Sequence, residues 1–106
     1  HYNASKMGVI GFTRAVALEL APKVRVNSIS PGTIGTEIID NEINWRIKNG
    51  WEKTRKEVED DWLRRIPLGR YQMPTDIARA IVGFCSKTFS ETTGETLNVS
   101  GGAVME

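Results

Sequence analysis

Tyr2 and Lys6 stand four residues apart in the opening stretch "HYNASK", and this pair is the first in the chain able to do chemistry. On a helix, residues four apart share a face, one turn from each other. A tyrosine hydroxyl ordinarily ionises near pH 10 and is a poor base at neutrality. An ammonium group beside it favours the phenolate and lowers that value. Such a pair can move a proton to or from a substrate oxygen. The same spacing also fits an ordinary exposed pair near a helix start, and by itself it does not choose.

A second candidate is "PGTIGT", directly after "VRVNSIS". In an open α/β sheet, ligands bind beyond the carboxyl ends of the strands. Pro31 and Gly32 would turn the chain there. Gly35 permits close backbone approach, and Thr36 offers a hydroxyl and backbone donors. Taken alone, the stretch also reads as a plain strand-to-helix loop.

Both candidates need elements to hold them. "ASKMGVIGFTRAVALELA" predicts a helix over Ala4 to Ala21, with Pro22 as its stop. Its polar residues are few, Lys6, Thr13, Arg14 and Glu19 among them. A helix this apolar around its circumference is expected to be covered on more than one side. Gly8 and Gly11 cost helix propensity, which predicts that another backbone comes close. "VRVNSIS" predicts a short strand. One helix is expected through Ile39, Ile43 and Ile47, and a second along Trp51, Arg55, Val58, Trp62 and Ile66. Pro74 suits the first turn of another helix, with Ile77, Ile81, Phe84 and Cys85 inward. "ETLNVS" predicts a last strand, with Leu97 and Val99 on one face. Helix, strand, helical insertion, helix, strand is an α/β order and points to the tail of a doubly wound parallel sheet. Two strands cannot make such a sheet alone. The rest of it is expected in chain that this sequence does not contain.

Composition excludes several classes. The 106 residues fit one small domain. A formal net charge of +1, with interspersed signs, gives no bulk attraction to nucleic acid. No apolar run approaches the roughly 18–20 residues of a membrane span. The one cysteine, Cys85, rules out an internal disulfide. It is expected to be buried, in a reduced, cytoplasmic setting. No residue set suggests a metal site.

Taken in order, the motifs identify a resemblance. "YNASK" resembles the Tyr-x-Ala-Ser-Lys of the short-chain dehydrogenases/reductases. "VRVNSISPGTIGT" is similar to that family's strand and its following Pro-Gly-x-x-x-Thr. "PLGRYQMPTDIARAIVGFCS" resembles its Pro-x-Gly-Arg segment and next helix, and "TGETLNVSGG" its ending, with Ser100 where the family often has Asp. The resemblance implies a Rossmann fold, of which residues 1–106 would be the C-terminal half of one domain. It implies NAD or NADP as cofactor and hydride exchange with a carbonyl or alcohol carbon. Tyr2 would be the general acid/base, and Lys6 would lower its pKa and hydrogen-bond the nicotinamide ribose. Pro31, Gly32, Ile34 and Thr36 would lie along the nicotinamide. The first helix and the last strand would match the surfaces through which the family forms dimers or tetramers. The glycine-rich phosphate turn, the residue that selects NAD or NADP, and the catalytic serine are expected in a preceding half. Without that half the segment would be inactive.

Residues 37–66 would be a helical substrate lid. Its three tryptophans, Trp45, Trp51 and Trp62, suit the flat faces of a small polar alcohol, sugar or polyol. Trp62 is instead expected to pack inward with Val58 and Ile66. Two alternatives stand beside this reading: a 3-oxoacyl-carrier-protein reductase, and a non-catalytic remnant that binds a partner.

Overall fold

The computed structural model describes residues 1–51 and 54–104, with the side chain of Tyr2 outside that description. Among the described residues the chain forms α1 (Tyr2–Leu20), β1 (Ser28–Pro31), α2 (Glu37–Lys48), α3 (Arg55–Arg64), α4 (Pro74–Cys85), a 3-10 turn (Lys87–Phe89) and β2 (Thr96–Val99). β1 and β2 pair directly. The Ser28 amide donates to the Glu95 carbonyl at 2.9 Å and the Gly32 amide to the Val99 carbonyl at 3.0 Å. Residue numbers rise together on both strands, so the pair is parallel. The fold is α/β, as the element order predicted. It divides into two compact units, His1–Ser30 with Ala78–Leu97, and Pro31–Ile77 with the chain from Asn98 onward.

In the first unit, α1 buries Ala17 and Thr13, and the Thr13 hydroxyl donates to the Val9 carbonyl at 2.8 Å. Its apolar residues Met7, Val9, Phe12 and Leu18 are exposed. The expectation that Gly8 and Gly11 mark a close backbone is not met among the described residues, where nothing lies within 4 Å of a Cβ placed at either. The strand also begins later than "VRVNSIS" suggests, at Ser28. Before it, the Gly94 amide donates to the Val26 carbonyl at 2.7 Å, and side chains supply further bonds. Arg25 donates to the Phe89 carbonyl at 2.7 Å, and the Asn27 amide donates to the Thr92 carbonyl at 2.9 Å. Asn27 Oδ1 accepts from the Glu95 amide at 3.0 Å. The partner there is a turn, so strand geometry waits until Thr96.

α4 corrects two further expectations. Of its predicted inner face only Phe84 is buried, stacked edge-on with Phe89 at 5.0 Å. Ile81 and Cys85 are exposed and line an open pocket of about 260 Å³ beside β1. Cys85 is thus not the buried thiol its apolar neighbours implied.

The second unit has a compact core. Ile43 and Val58 are fully buried, Ile39 nearly so, and Ile47, Trp62 and Tyr71 pack around them. Fully burying an aliphatic side chain of this size contributes about 1.5–3 kcal/mol. Arg55 ties α2 to α3 by bonding Asp40 on one and Glu59 on the other, the latter at 2.7 Å. Those carboxylates hold its pKa above the ordinary arginine value. α3 starts at Arg55 because the Thr54 hydroxyl accepts from the Glu57 amide at 3.2 Å and caps the helix. The expected stripe is kept at Val58, Trp62 and Ile66, while Trp51 falls before the helix.

Candidate active site

Tyr2 opens α1, and its first turn closes with the Ser5 amide donating to the His1 carbonyl at 3.0 Å. Lys6 follows one turn later and is half-buried. The helix therefore sets the backbone positions of Tyr2 and Lys6 one turn apart, as the spacing requires. Both belong to the first unit.

Pro31, Gly32, Ile34 and Thr36 belong to the second unit, on the stretch that leaves β1. Main-chain bonds hold this stretch against the segment before α4. The Gln72 amide donates to the Thr33 carbonyl at 3.0 Å, and the Gly35 amide donates to the Gln72 carbonyl at 2.9 Å. Ile34 and Gln72 thus form an isolated parallel bridge. Thr36 is the N-cap of α2 in extended geometry, and its exposed hydroxyl makes no capping bond. Gly32 is there for packing within the protein: a Cβ would lie 2.6 Å from Gln72 Oε1 and 2.7 Å from Ser100 Cα. Gly35 faces only ordinary contacts, the nearest at 3.7 Å.

The loop fits a planar, amide-bearing ring such as nicotinamide. It offers an apolar side chain at Ile34 and an uncommitted hydroxyl at Thr36, at the carboxyl end of a parallel strand. Ser100 is buried and serves a turn: its hydroxyl lies 3.2 Å from both the amide nitrogen and the carbonyl oxygen of Val104.

The α2–α3 region carries an aromatic group. Trp45 and Trp51 meet edge to face with centroids 5.2 Å apart, and both are exposed. The Arg46 guanidinium stands 5.8 Å from the Trp51 ring and 5.1 Å from the Trp62 ring. Trp62 packs against the core and edge-on to Tyr71 at 6.4 Å, as its stripe implied. An open pocket of about 300 Å³ is lined by Thr33, Trp62, Arg65, Ile66 and Ala103. Among the described residues no group of histidine, cysteine, aspartate and glutamate is arranged to hold a metal.

The family profile described as enoyl-(acyl carrier protein) reductase matches residues 1–104. A 3-oxoacyl-(acyl-carrier-protein) reductase FabG of Rickettsia bellii is 39% identical over 106 residues, covering 99% of this chain and 39% of the relative. The chain belongs to the short-chain dehydrogenase/reductase family. A solved member from Brucella melitensis, described as a glucose/ribitol dehydrogenase, is 38% identical with a TM-score of 0.77 and matches all of this chain and 36% of its own. An actinorhodin polyketide ketoreductase, solved with NADPH, is 35% identical with a TM-score of 0.82, covering 96% of this chain and 39% of its own. The chain thus spans about two-fifths of the length of the relatives it matches. Sequence reading missed Gln72 and Tyr71: both lie within the short-chain dehydrogenase/reductase motif "PLGRYQMP", but neither has a residue type or spacing that announces a role.

Proposed function

We propose that these residues are the C-terminal half of one Rossmann domain in an NAD- or NADP-dependent oxidoreductase acting on a carbonyl or alcohol. The reading is supported by one observation above others: Tyr2 and Lys6 lie one turn apart on α1 in a chain that matches the family over residues 1–104. When bound, the nicotinamide nucleotide supplies or takes up the hydride. The Tyr2 hydroxyl gives the proton to the substrate oxygen in reduction and removes it in oxidation. The Lys6 ammonium holds the phenol in its more acidic range and bonds the nicotinamide ribose. Pro31, Gly32, Ile34 and Thr36 line the nicotinamide end. Residues 37–66 close over the substrate. The exposed apolar residues of α1 support a homodimer or homotetramer, and the lone free cysteine a cytoplasmic setting.

Two substrate classes have specific support. The exposed Trp45–Trp51 pair offers aromatic faces to a small sugar or polyol, and a glucose/ribitol dehydrogenase is among the solved relatives. The 3-oxoacyl-(acyl-carrier-protein) reductase at 39% identity favours a 3-oxoacyl thioester. Following reduced nicotinamide in the full-length protein, with a panel of polyols, sugars and 3-oxoacyl thioesters, decides between them. Turnover with neither class, alongside intact folding, supports the remnant that binds a partner.

A further inference from the structure

Gln72 is 4% exposed and touches three parts of the second unit. Its main chain grips the loop on both sides of Ile34, through Thr33 and Gly35. Its side chain lies between two glycine turns. A Cβ on Gly32 would stand 2.6 Å from Gln72 Oε1, and a Cβ on Gly101 would stand 2.6 Å from Gln72 Nε2. Atoms do not pack that closely, and neighbouring atoms add to the demand for glycine: a Cβ on Gly32 would also stand 2.7 Å from Ser100 Cα, and one on Gly101 would stand 2.8 Å from Ile66 Cγ2 on a backbone with φ of +63°. The segment that carries Gln72 is itself anchored. Arg70 bonds the Asp76 carboxylate through two nitrogens at 2.7 and 3.1 Å, and that carboxylate accepts from the Met73 amide at 2.8 Å at the start of α4.

The polar side chain is poorly satisfied for so buried a place. Nε2 reaches the Arg70 carbonyl at 3.3 Å, while Oε1 is buried with no hydrogen-bond partner among the described residues. An orphaned buried acceptor costs stability rather than adding to it. Shape and reach are therefore what the side chain contributes. We infer that Gln72 is a positioning residue, a strut that sets the separation of the Gly32–Gly35 loop from the Ser100–Gly101 turn. Through that loop it fixes the nicotinamide end of a bound dinucleotide. The identity of that ligand rests on the function proposed above.

The test is calorimetric binding to the full-length protein of two ligands: the dinucleotide it prefers, and the matching ADP-ribose fragment that lacks nicotinamide. Gln72→Ala opens space beneath Gly32. It is expected to weaken the dinucleotide roughly tenfold, the scale of a small packing loss, while the fragment stays within about twofold. Gln72→Met fills a similar volume without the orphaned oxygen, and is expected to keep dinucleotide affinity within about threefold and to raise the melting temperature. Gln72→Asn, one methylene shorter, is the milder variant if Gln72→Ala does not fold, with a smaller loss confined to the dinucleotide. Equal weakening of both ligands, no weakening of either, or a Met variant as impaired as the Ala variant overturns the strut. A wild-type protein that binds neither NAD nor NADP overturns the functional reading and the inference together.

Discussion

α1 and the α2–α3 pair invert the usual relation between apolar sequence and burial. α1 has only five polar residues between Ala4 and Ala21, yet Met7, Phe12 and Leu18 are at least 65% exposed. α2 and α3 are rich in charge, yet they bury Ile39, Ile43 and Val58 against each other and join through Arg55. The charged pair carries its own partner: each helix needs one stripe, and the other helix supplies it. The apolar helix has more than one apolar face, and among its described side chains only Thr13 and Ala17 are buried. Apolarity around a whole helix measures how much cover the helix demands, while a single stripe measures what one neighbour provides. The second unit is accordingly expected to be worth most in packing, and α1 in chemistry and association.

The sharpest break of that contrast is Tyr2→Phe. If α1 carries the chemistry, turnover in the full-length protein falls by at least about 100-fold while cofactor affinity barely changes. Activity above about a tenth of wild type removes the acid/base role. Lys6→Met is expected to lower both rate and cofactor affinity, and a normal dissociation constant would remove the ribose contact.

Truncation tests the packing side. Ile43→Ala is expected to cost about 2–5 kcal/mol in urea unfolding, because its side chain is wholly buried between α2 and α3. Leu18→Ala in α1 removes an equally large side chain that is 83% exposed. It is expected to change unfolding of the subunit by no more than about 0.5 kcal/mol, and to appear instead as weaker self-association in sedimentation. A large unfolding effect without any change in sedimentation would place the cover of α1 inside its own subunit.

The lid reading gives a smaller effect. Amide exchange across residues 37–66 is expected to slow when cofactor and substrate bind together. The dense α2–α3 core sets a limit on that response, since buried Ile43 and Val58 already protect the helix interiors. The change should therefore concentrate at the helix ends, near Thr36 and around Trp51. Equal exchange with and without ligands would make this region a fixed part of the body.

What was legible in the sequence was whatever repeats locally. The α2 and α3 stripes and the Pro74 helix start follow from periodicity and backbone stereochemistry. The family motifs stood in order and led to the fold. Contacts between residues distant in sequence were not legible. β1 starts late because Asn27 bonds Thr92 and Glu95, more than sixty positions away. Cys85 sits in an apolar run, but the register of α4 turns it to an open pocket. Gln72 looks like any loop glutamine until Gly32 and Gly101 are brought to either side of it. Tyr2 and Lys6 were conspicuous by spacing, whereas the residues that hold the loop were not, because support depends on shape more than on residue type.

The smallest effect sits inside the α2–α3 core itself. Tyr71 packs beside Ile39, Ile43 and Val58, and its hydroxyl is buried with no hydrogen-bond partner among the described residues. Burial raises its pKa above the ordinary 10.0, and the Glu59 charge raises it further against an opposing pull from Arg55. A raised phenol pKa means that the native state prefers the neutral form. As pH climbs, the unfolded chain ionises first and gains relative to the folded one. The stability linked to Tyr71 is thus fully present below about pH 10 and is lost as pH rises through the folded value. Tyr71→Phe removes both the orphaned hydroxyl and this titration. At neutral pH it is expected to be neutral or stabilising by up to about 1 kcal/mol. Above about pH 10 its advantage over wild type should widen, because only the wild type then loses stability through this side chain. Urea unfolding of the pair from neutral to alkaline pH measures that difference directly. A constant gap across the range would mean that the Tyr71 phenol is solvated or partnered in solution, and that the core of the second unit is looser than its packing indicates.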